Sequence, residues 1–227
     1  MATICITGAN RGIGLELAKQ YAEQGHSVVA TCRDPDSAEA LNAAAGDNIT
    51  VEKLVPTDGD SVAALASKLS AVDILINNAG TPGPAPDQQT AMSMDFDGWL
   101  DTFNVNTVAP LRVLQGLHGL LKEGENAKAI TITSQMGSLD LNWPTMYAYC
   151  SSKAAVNKVM RMISLELAND AIAVGLIHPG WVKTDMGGEG ADITAAESAA
   201  GIISVIEGIN LENTGCFMKW DGEPHAW

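Results

Sequence analysis

Short apolar runs alternate with amphipathic stretches along the whole chain, and few folds accept that pattern. Thr3–Thr7, Ser27–Cys32, Ile49–Val55, Val72–Asn77, Ala129–Thr133, Ala171–His178 and Cys216–Trp220 read as strands. Helical periodicity fills the intervals at Gly12–Gln24, Pro35–Ala45, Ser61–Ser70, Phe96–Lys122, Tyr147–Ala168 and Ala195–Ile209. Strands with no polar face are buried on both sides, and strands separated by helices pair in parallel. The pattern predicts an α/β, Rossmann-type fold: a doubly wound, mostly seven-stranded parallel sheet with helices on both faces. No linker, repeat or low-complexity stretch interrupts it, so residues 1–227 are expected to form one domain.

Composition removes several functional classes. Hydrophobic residues make up 46% of the 227 and charged residues 18%, which excludes an unfolded chain. A formal net charge of −14 argues against nucleic acid or an anionic membrane as partner. Met1–Ile6 runs straight into a strand with no basic segment or cleavage site, so no signal peptide is read. No apolar run approaches the roughly 18 residues of a membrane span. Cys5, Cys32, Cys150 and Cys216 form no CxxC pair and no Cys/His cluster, which predicts free thiols and a reducing, cytoplasmic setting. His26, His118, His178 and His225 are scattered and point to no metal.

A glycine-rich turn, Thr7-Gly8-Ala9-Asn10-Arg11-Gly12-Ile13-Gly14, follows the first strand and opens the first helix. Glycines there permit a tight turn and let the backbone approach a pyrophosphate, while the helix N-terminus faces the anion with free N–H groups. Gly8, Asn10, Arg11, Gly12, Ile13 and Gly14 are therefore candidate dinucleotide contacts. NAD sites usually place an acid at the end of the second strand, about 20 residues on. Here that place holds Cys32 and then Arg33, and Asp34-Pro35 reads as a helix cap followed by proline. Arg33 and Arg11 suit a 2′-phosphate instead, which favours NADP(H) over NAD(H).

Tyr149 and Lys153 are four residues apart on a helix and so share a face. A phenol is a poor acid–base group at neutral pH, with a pKa near ~10. A nearby ammonium is expected to lower that value. Such a tyrosine gives a proton to a carbonyl oxygen or takes one from an alcohol.

Further signatures occur in order: Asn77-Asn78-Ala79-Gly80, Asn106 within Asn104-Val105-Asn106, Ser134 after the fifth strand, Tyr149-x-x-x-Lys153, and Pro179-Gly180-Trp181-Val182-Lys183-Thr184. The ordered set resembles the short-chain dehydrogenase/reductase family over essentially the whole chain. The stretch His178–Met186 and the ending Asp221–Trp227 resemble its C-factor and sniffer-like carbonyl reductase branch. The resemblance implies Tyr149 as general acid, Lys153 as its modulator and a ribose contact, and Ser134 as holder of the substrate oxygen. It implies that Asn106 bends its helix and anchors a proton-relay water. It also implies cofactor contacts from Asn78, Ala79 and Gly80, and from Pro179, Gly180, Val182 and Thr184. A small aldehyde or ketone, or the reverse alcohol, is the implied substrate, and a homodimer or homotetramer through the two long helices the implied assembly. The C-factor likeness keeps a second reading open, an NADP(H)-binding signalling protein with incidental catalysis.

Two departures from the family pattern stand out. Ser134 lies 15 residues before Tyr149, two more than is common in the family, and Tyr147 occupies the commoner position. The residue four beyond Tyr147 is Ser151, which supplies no positive charge, so Tyr149 is chosen and Tyr147 becomes a pocket-wall candidate. Val55 stands where many relatives hold adenine with an aspartate, and Asp58 is read as a helix cap. Met136, Trp143, Trp181 and Met186 are further candidate walls. Gly187, Gly188 and Gly190 allow a mobile lid and read equally as plain loop glycines.

Overall fold

The computed structural model describes residues 1–142 and 144–227; the wall candidate Trp143 lies outside them. Strands β1 (Thr3–Thr7), β2 (Ser27–Cys32), β3 (Ile49–Lys53), β4 (Ile74–Asn77), β7 (Lys128–Ile132), β8 (Ala173–His178) and β11 (Cys216–Lys219) form one parallel sheet. Their order is β11-β8-β7-β4-β1-β2-β3. The chain winds outward from β1 through β2 to β3, then returns to the other side of β1 with β4. The strand order thus reverses between β1 and β4, and in open α/β sheets the ligand crevice lies beyond the carboxyl ends of the strands at such a reversal.

Successive side chains of a strand point to opposite faces. Ile4 and Ile6 of β1 accordingly join one core with Leu17 of α1 (Gly12–Glu23) and Ile202 and Ile206 of α7 (Ala195–Gly208). Cys5 joins the other, with Val62 of α3 (Gly59–Ala66), Leu117 of α5 (Ala109–Lys122) and Met160 of α6 (Tyr147–Leu167). β8 is buried at all six positions, as a strand covered on both faces must be.

The structure departs from the sequence expectation in four places. The helix expected over Pro35–Ala45 splits into a 3₁₀ turn, Pro35–Ser37, and α2 (Glu39–Ala44). Asp34 precedes that turn, with Pro35 next and its carboxylate accepting from the Ser37 hydroxyl at 2.8 Å. The helix expected over Phe96–Lys122 is α4 (Phe96–Phe103) and α5 joined by a wider π turn, Asn104–Val108. Pro110 explains the wide turn, since it has no N–H to return to the Asn106 carbonyl four residues back. Two small pairings were not read from the sequence: an antiparallel hairpin, β5 (Gln89–Thr90) with β6 (Ser93–Met94), and a parallel pair, β9 (Val182–Lys183) with β10 (Ile193–Thr194).

Helices α3 and α5 meet at Gly116, where an added Cβ would lie 2.2 Å from Val62 Cγ1. Val62 is buried and stiff at χ1. Alanine at 116 gains about 1 kcal/mol of helix propensity, but overpacking costs roughly 1–3 kcal/mol. Gly116→Ala is expected to lower stability in urea unfolding, and Val62→Ala in the same chain to relieve part of the loss. A Gly116→Ala protein more stable than the parent would contradict this packing.

Candidate active site

The glycine turn is welded to the end of β4. Thr7 Oγ1 accepts from the N–H groups of Asn78 and Ala79, both at 3.0 Å. Asn78 Nδ2 donates to the carbonyls of Thr7 and Gly8, also at 3.0 Å. A Cβ on Gly8 would lie 2.9 Å from Ala79 Cα, and one on Gly14 would lie 2.5 Å from Asn78 Nδ2. Gly8 and Gly12 have φ of 67° and 56°, the left-handed region that favours glycine. Asn78 and Ala79 thus brace the turn.

Helix α1 starts at Gly12 with no side chain capping it and no acid in its first turn. Its N–H groups and the dipole behind them are left for an anion. Across the crevice, Thr184 Cγ2 is 3.2 Å from where a Gly12 Cβ would stand. Asn10, Arg11 and Gly80 are exposed, and Ile13 and Pro179 are half-buried, at this end of the sheet. Arg33 is exposed just past β2. Arg11 pairs with Asp185, next to Thr184, a partner the sequence did not suggest. The expected cap at Asp58 is present: its carboxylate accepts from Asp60 N–H at 3.1 Å. Val55 offers no polar side chain, and its N–H donates to Ser61 Oγ.

Gly180, at φ 88°, faces Trp220, and the Pro179 carbonyl accepts from Ser198 Oγ at 2.6 Å. Val182 is buried in β9. In the glycine segment, Trp181 Nε1 donates to the Gly187 carbonyl at 2.9 Å, Gly187 N–H to Thr184 Oγ1 at 3.1 Å and Gly188 N–H to the Thr184 carbonyl at 2.8 Å. Of the wall candidates, Met136 and Tyr147 are half-buried, and Trp181 and Met186 are exposed.

The four polar residues singled out in the sequence meet at the ends of β4 and β7. A Cβ on Gly80 would lie 3.3 Å from Asn106 Oδ1 and 3.8 Å from Lys153 Nζ. Asn106 is buried in the π turn; its Oδ1 accepts from Thr81 N–H and its Nδ2 donates to the Thr81 carbonyl, both at 2.9 Å. Nδ2 also lies 3.0 Å from Ser152 Oγ on α6. Ser134 follows β7 and caps a short turn, accepting from Met136 N–H. Gly137 in that turn packs directly on α6: a Cβ there would lie 2.7 Å from the Lys153 carbonyl carbon. Thr133 Oγ1 donates to Asn157 Oδ1 at 2.6 Å, a second tie between β7's end and α6 that the sequence reading missed.

Lys153 Nζ stands 5.7 Å from the centre of the Tyr149 ring and donates to the Ile132 carbonyl at 3.0 Å. Burial lowers its pKa from 10.5 to about 8. Burial also raises the Tyr149 phenol, against a lowering by its hydrogen-bond partner Ser134, with the Cys150 thiol adding to the upward push. Burial thus acts on the phenol in the direction opposite to the lowering expected from Lys153.

A model of the short chain dehydrogenase family matches residues 2–193. The chain belongs to the short-chain dehydrogenase family. Among its relatives, the C-signal protein of Myxococcus xanthus is 39% identical over 158 residues, 69% of this chain and 93% of that one. The carbonyl reductase Sniffer of D. melanogaster superposes with a TM-score of 0.93 at 31% identity, covering 100% of both chains. An NADPH-bound carbonyl reductase from chicken fatty liver superposes at 0.92 and 32% identity, covering 100% of this chain and 99% of that one.

A lysine whose folded pKa lies below its unfolded value costs stability wherever it is charged in both states. For Lys153 that cost is full below about pH 8 and disappears as pH rises to 10.5. Lys153→Met removes the charge at similar length. The stability difference, variant minus parent, is expected to fall by on the order of 2 kcal/mol between pH 7 and pH 10. Urea unfolding of both proteins checks it; a difference independent of pH would contradict the buried charge.

Proposed function

We propose that this short-chain dehydrogenase is an NADP(H)-dependent oxidoreductase that reduces a small aldehyde or ketone to an alcohol, with Tyr149 as the proton donor. The observation that supports this most is the convergence of the half-buried Tyr149 with Ser134, Lys153 and Asn106 beside an uncapped helix N-terminus. The chain fits a dinucleotide: glycines where side chains cannot stand, free N–H groups for a pyrophosphate, and Arg33 rather than an acid beyond β2. NADP(H) is thus preferred to NAD(H), in keeping with the carbonyl reductase that is solved with NADPH bound.

When bound, the nicotinamide supplies the hydride. Gly8, Gly12 and Gly14 would leave room for the pyrophosphate, and Arg33 and Arg11 would hold the 2′-phosphate, Arg11 being paired with Asp185 without it. Asn78, Ala79 and Gly80 line the ribose side; Pro179, Gly180, Val182 and Thr184 line the nicotinamide end. Ser134 donates a hydrogen bond to the carbonyl oxygen, and negative charge developing there is met by the hydroxyl. Tyr149 then gives that oxygen its proton. Lys153 holds the ribose and offsets charge on the phenolate, and Asn106 orders the water that resupplies the proton. Trp181, Met186, Met136 and Tyr147 form apolar walls. Two copies or four join through α4–α5 and α6, where Phe96, Leu100 and Leu165 are exposed apolar side chains.

The likeness to C-signal favours a second reading, an NADP(H)-binding signalling protein with incidental turnover. Tyr149→Phe separates the two. The variant is expected to bind NADPH as the parent does and to lose about a hundred- to ten-thousand-fold in carbonyl-dependent NADPH oxidation. Retained turnover contradicts the proposal. A biological effect that survives the loss of turnover, with NADPH still bound, favours the signalling reading.

A further inference from the structure

Helix α6 starts without a cap of its own. Met146, before it, has a left-handed backbone, φ 59°, and offers no side-chain hydrogen bond. First-turn N–H groups have no partners within a helix. The one on Tyr149 finds its acceptor 60 residues upstream, in Gln89 Oε1 at 3.2 Å. The same amide donates from Nε2 to the Pro82 carbonyl at 3.0 Å and to the Pro84 carbonyl at 2.5 Å. Gln89 is fully buried, and both ends of its amide are engaged. Its backbone is held in the β5–β6 hairpin, paired with Met94.

The loop it grips is short of space. A Cβ on Gly83 would lie 2.7 Å from Thr102 Oγ1, 3.4 Å from Gln89 Nε2 and 3.5 Å from Ala148 Cβ. Asn106 holds Thr81 at the start of this loop, and Gln89 holds Pro82 and Pro84. The later turns of α6 have other ties, through Ser152 to Asn106 and through Asn157 to Thr133. Gln89 reaches the backbone of Tyr149 itself.

We infer that Gln89 is a positioning residue for Tyr149: its buried amide clamps the first turn of α6 to the Pro82–Pro84 loop and sets where the phenol stands. Its effect on turnover rests on Tyr149 being the proton donor, as proposed above; its effect on Tyr149's position does not. Small displacements of a reacting group cost about a hundredfold per ångström, so a clamp at the tyrosine's own peptide is felt in the chemical step more than in cofactor binding.

The test uses the full chain labelled with ¹⁵N and with ¹³C-tyrosine, whose only tyrosines are Tyr21, Tyr147 and Tyr149. Gln89→Met removes the amide at similar length. In it, the Tyr149 amide is expected to exchange at least about tenfold faster relative to the core amide of Ile130. The Tyr149 phenol is expected to titrate lower as water reaches it, and kcat to fall at least about tenfold with NADPH affinity unchanged. Gln89→Glu at pH 6, its buried carboxyl still protonated, keeps the acceptor and one donor and is expected to recover most of the amide protection and of kcat, the two readouts taken at that pH. If Gln89→Met does not fold, Gln89→Asn, one methylene too short for all three partners, is read in the same way. Tyr149 exchange and titration that match the parent overturn the proposal, as does a Gln89→Glu protein no better than Gln89→Met. Both spectroscopic readouts are taken without substrate, so they judge Gln89 even where Tyr149→Phe retains turnover, the separate result that would sink the catalytic reading.

Discussion

The contact on which the rest depends is the seam between the ends of β1 and β4. The chain reverses its winding there, so two strand ends and the loops that leave them must share one space. Glycines at 8 and 14 let the backbones touch, and Thr7 and Asn78 fill the contact with four hydrogen bonds. A side chain at either glycine would collide with Asn78 or Ala79. Helix α1, which opens from this seam, has no capping side chain, so its first N–H groups have no side-chain partner.

A second seam joins the end of β7 to α6. Gly137 brings the turn after Ser134 onto the backbone of Lys153, Thr133 grips Asn157, and Lys153 spends a hydrogen bond on the Ile132 carbonyl. Packing this close excludes water, and exclusion of water disfavours both charged forms: the ammonium falls to about 8 and the phenol rises. The pair is thus held with a proton on the phenol and a weakened ammonium beside it.

Much of this was legible in the sequence because it rests on local signals. Ser27–Cys32 reads as a strand from its apolar run and is one. The i, i+4 spacing places Tyr149 and Lys153 together, and the choice of Tyr149 over Tyr147 agrees with Lys153 lying beside its ring. What was not legible comes from tertiary contact. The π turn has a sequence cause in Pro110, but the grip of Asn106 on the Thr81 loop and of Thr107 on the Ser152 carbonyl is tertiary and has no local signal. The partner of Arg11 sits 174 residues away. The hydrogen bonds of Trp181 and Thr184 to Gly187 come from the loop's path and not from any local sequence signal. The sign of the Tyr149 shift follows from burial, which spacing alone does not report.

The central claim is that the crevice at the β1–β4 reversal takes NADPH and passes its reducing power to a carbonyl beside Tyr149. The most direct measurement titrates the purified chain with NADPH and NADH by nicotinamide fluorescence, then adds a panel of aldehydes and ketones to the tighter complex. The account predicts tighter binding of NADPH than of NADH and NADPH oxidation that depends on the added carbonyl. Failure to bind either dinucleotide would contradict it at its root, in the glycine turn from Thr7 to Gly14.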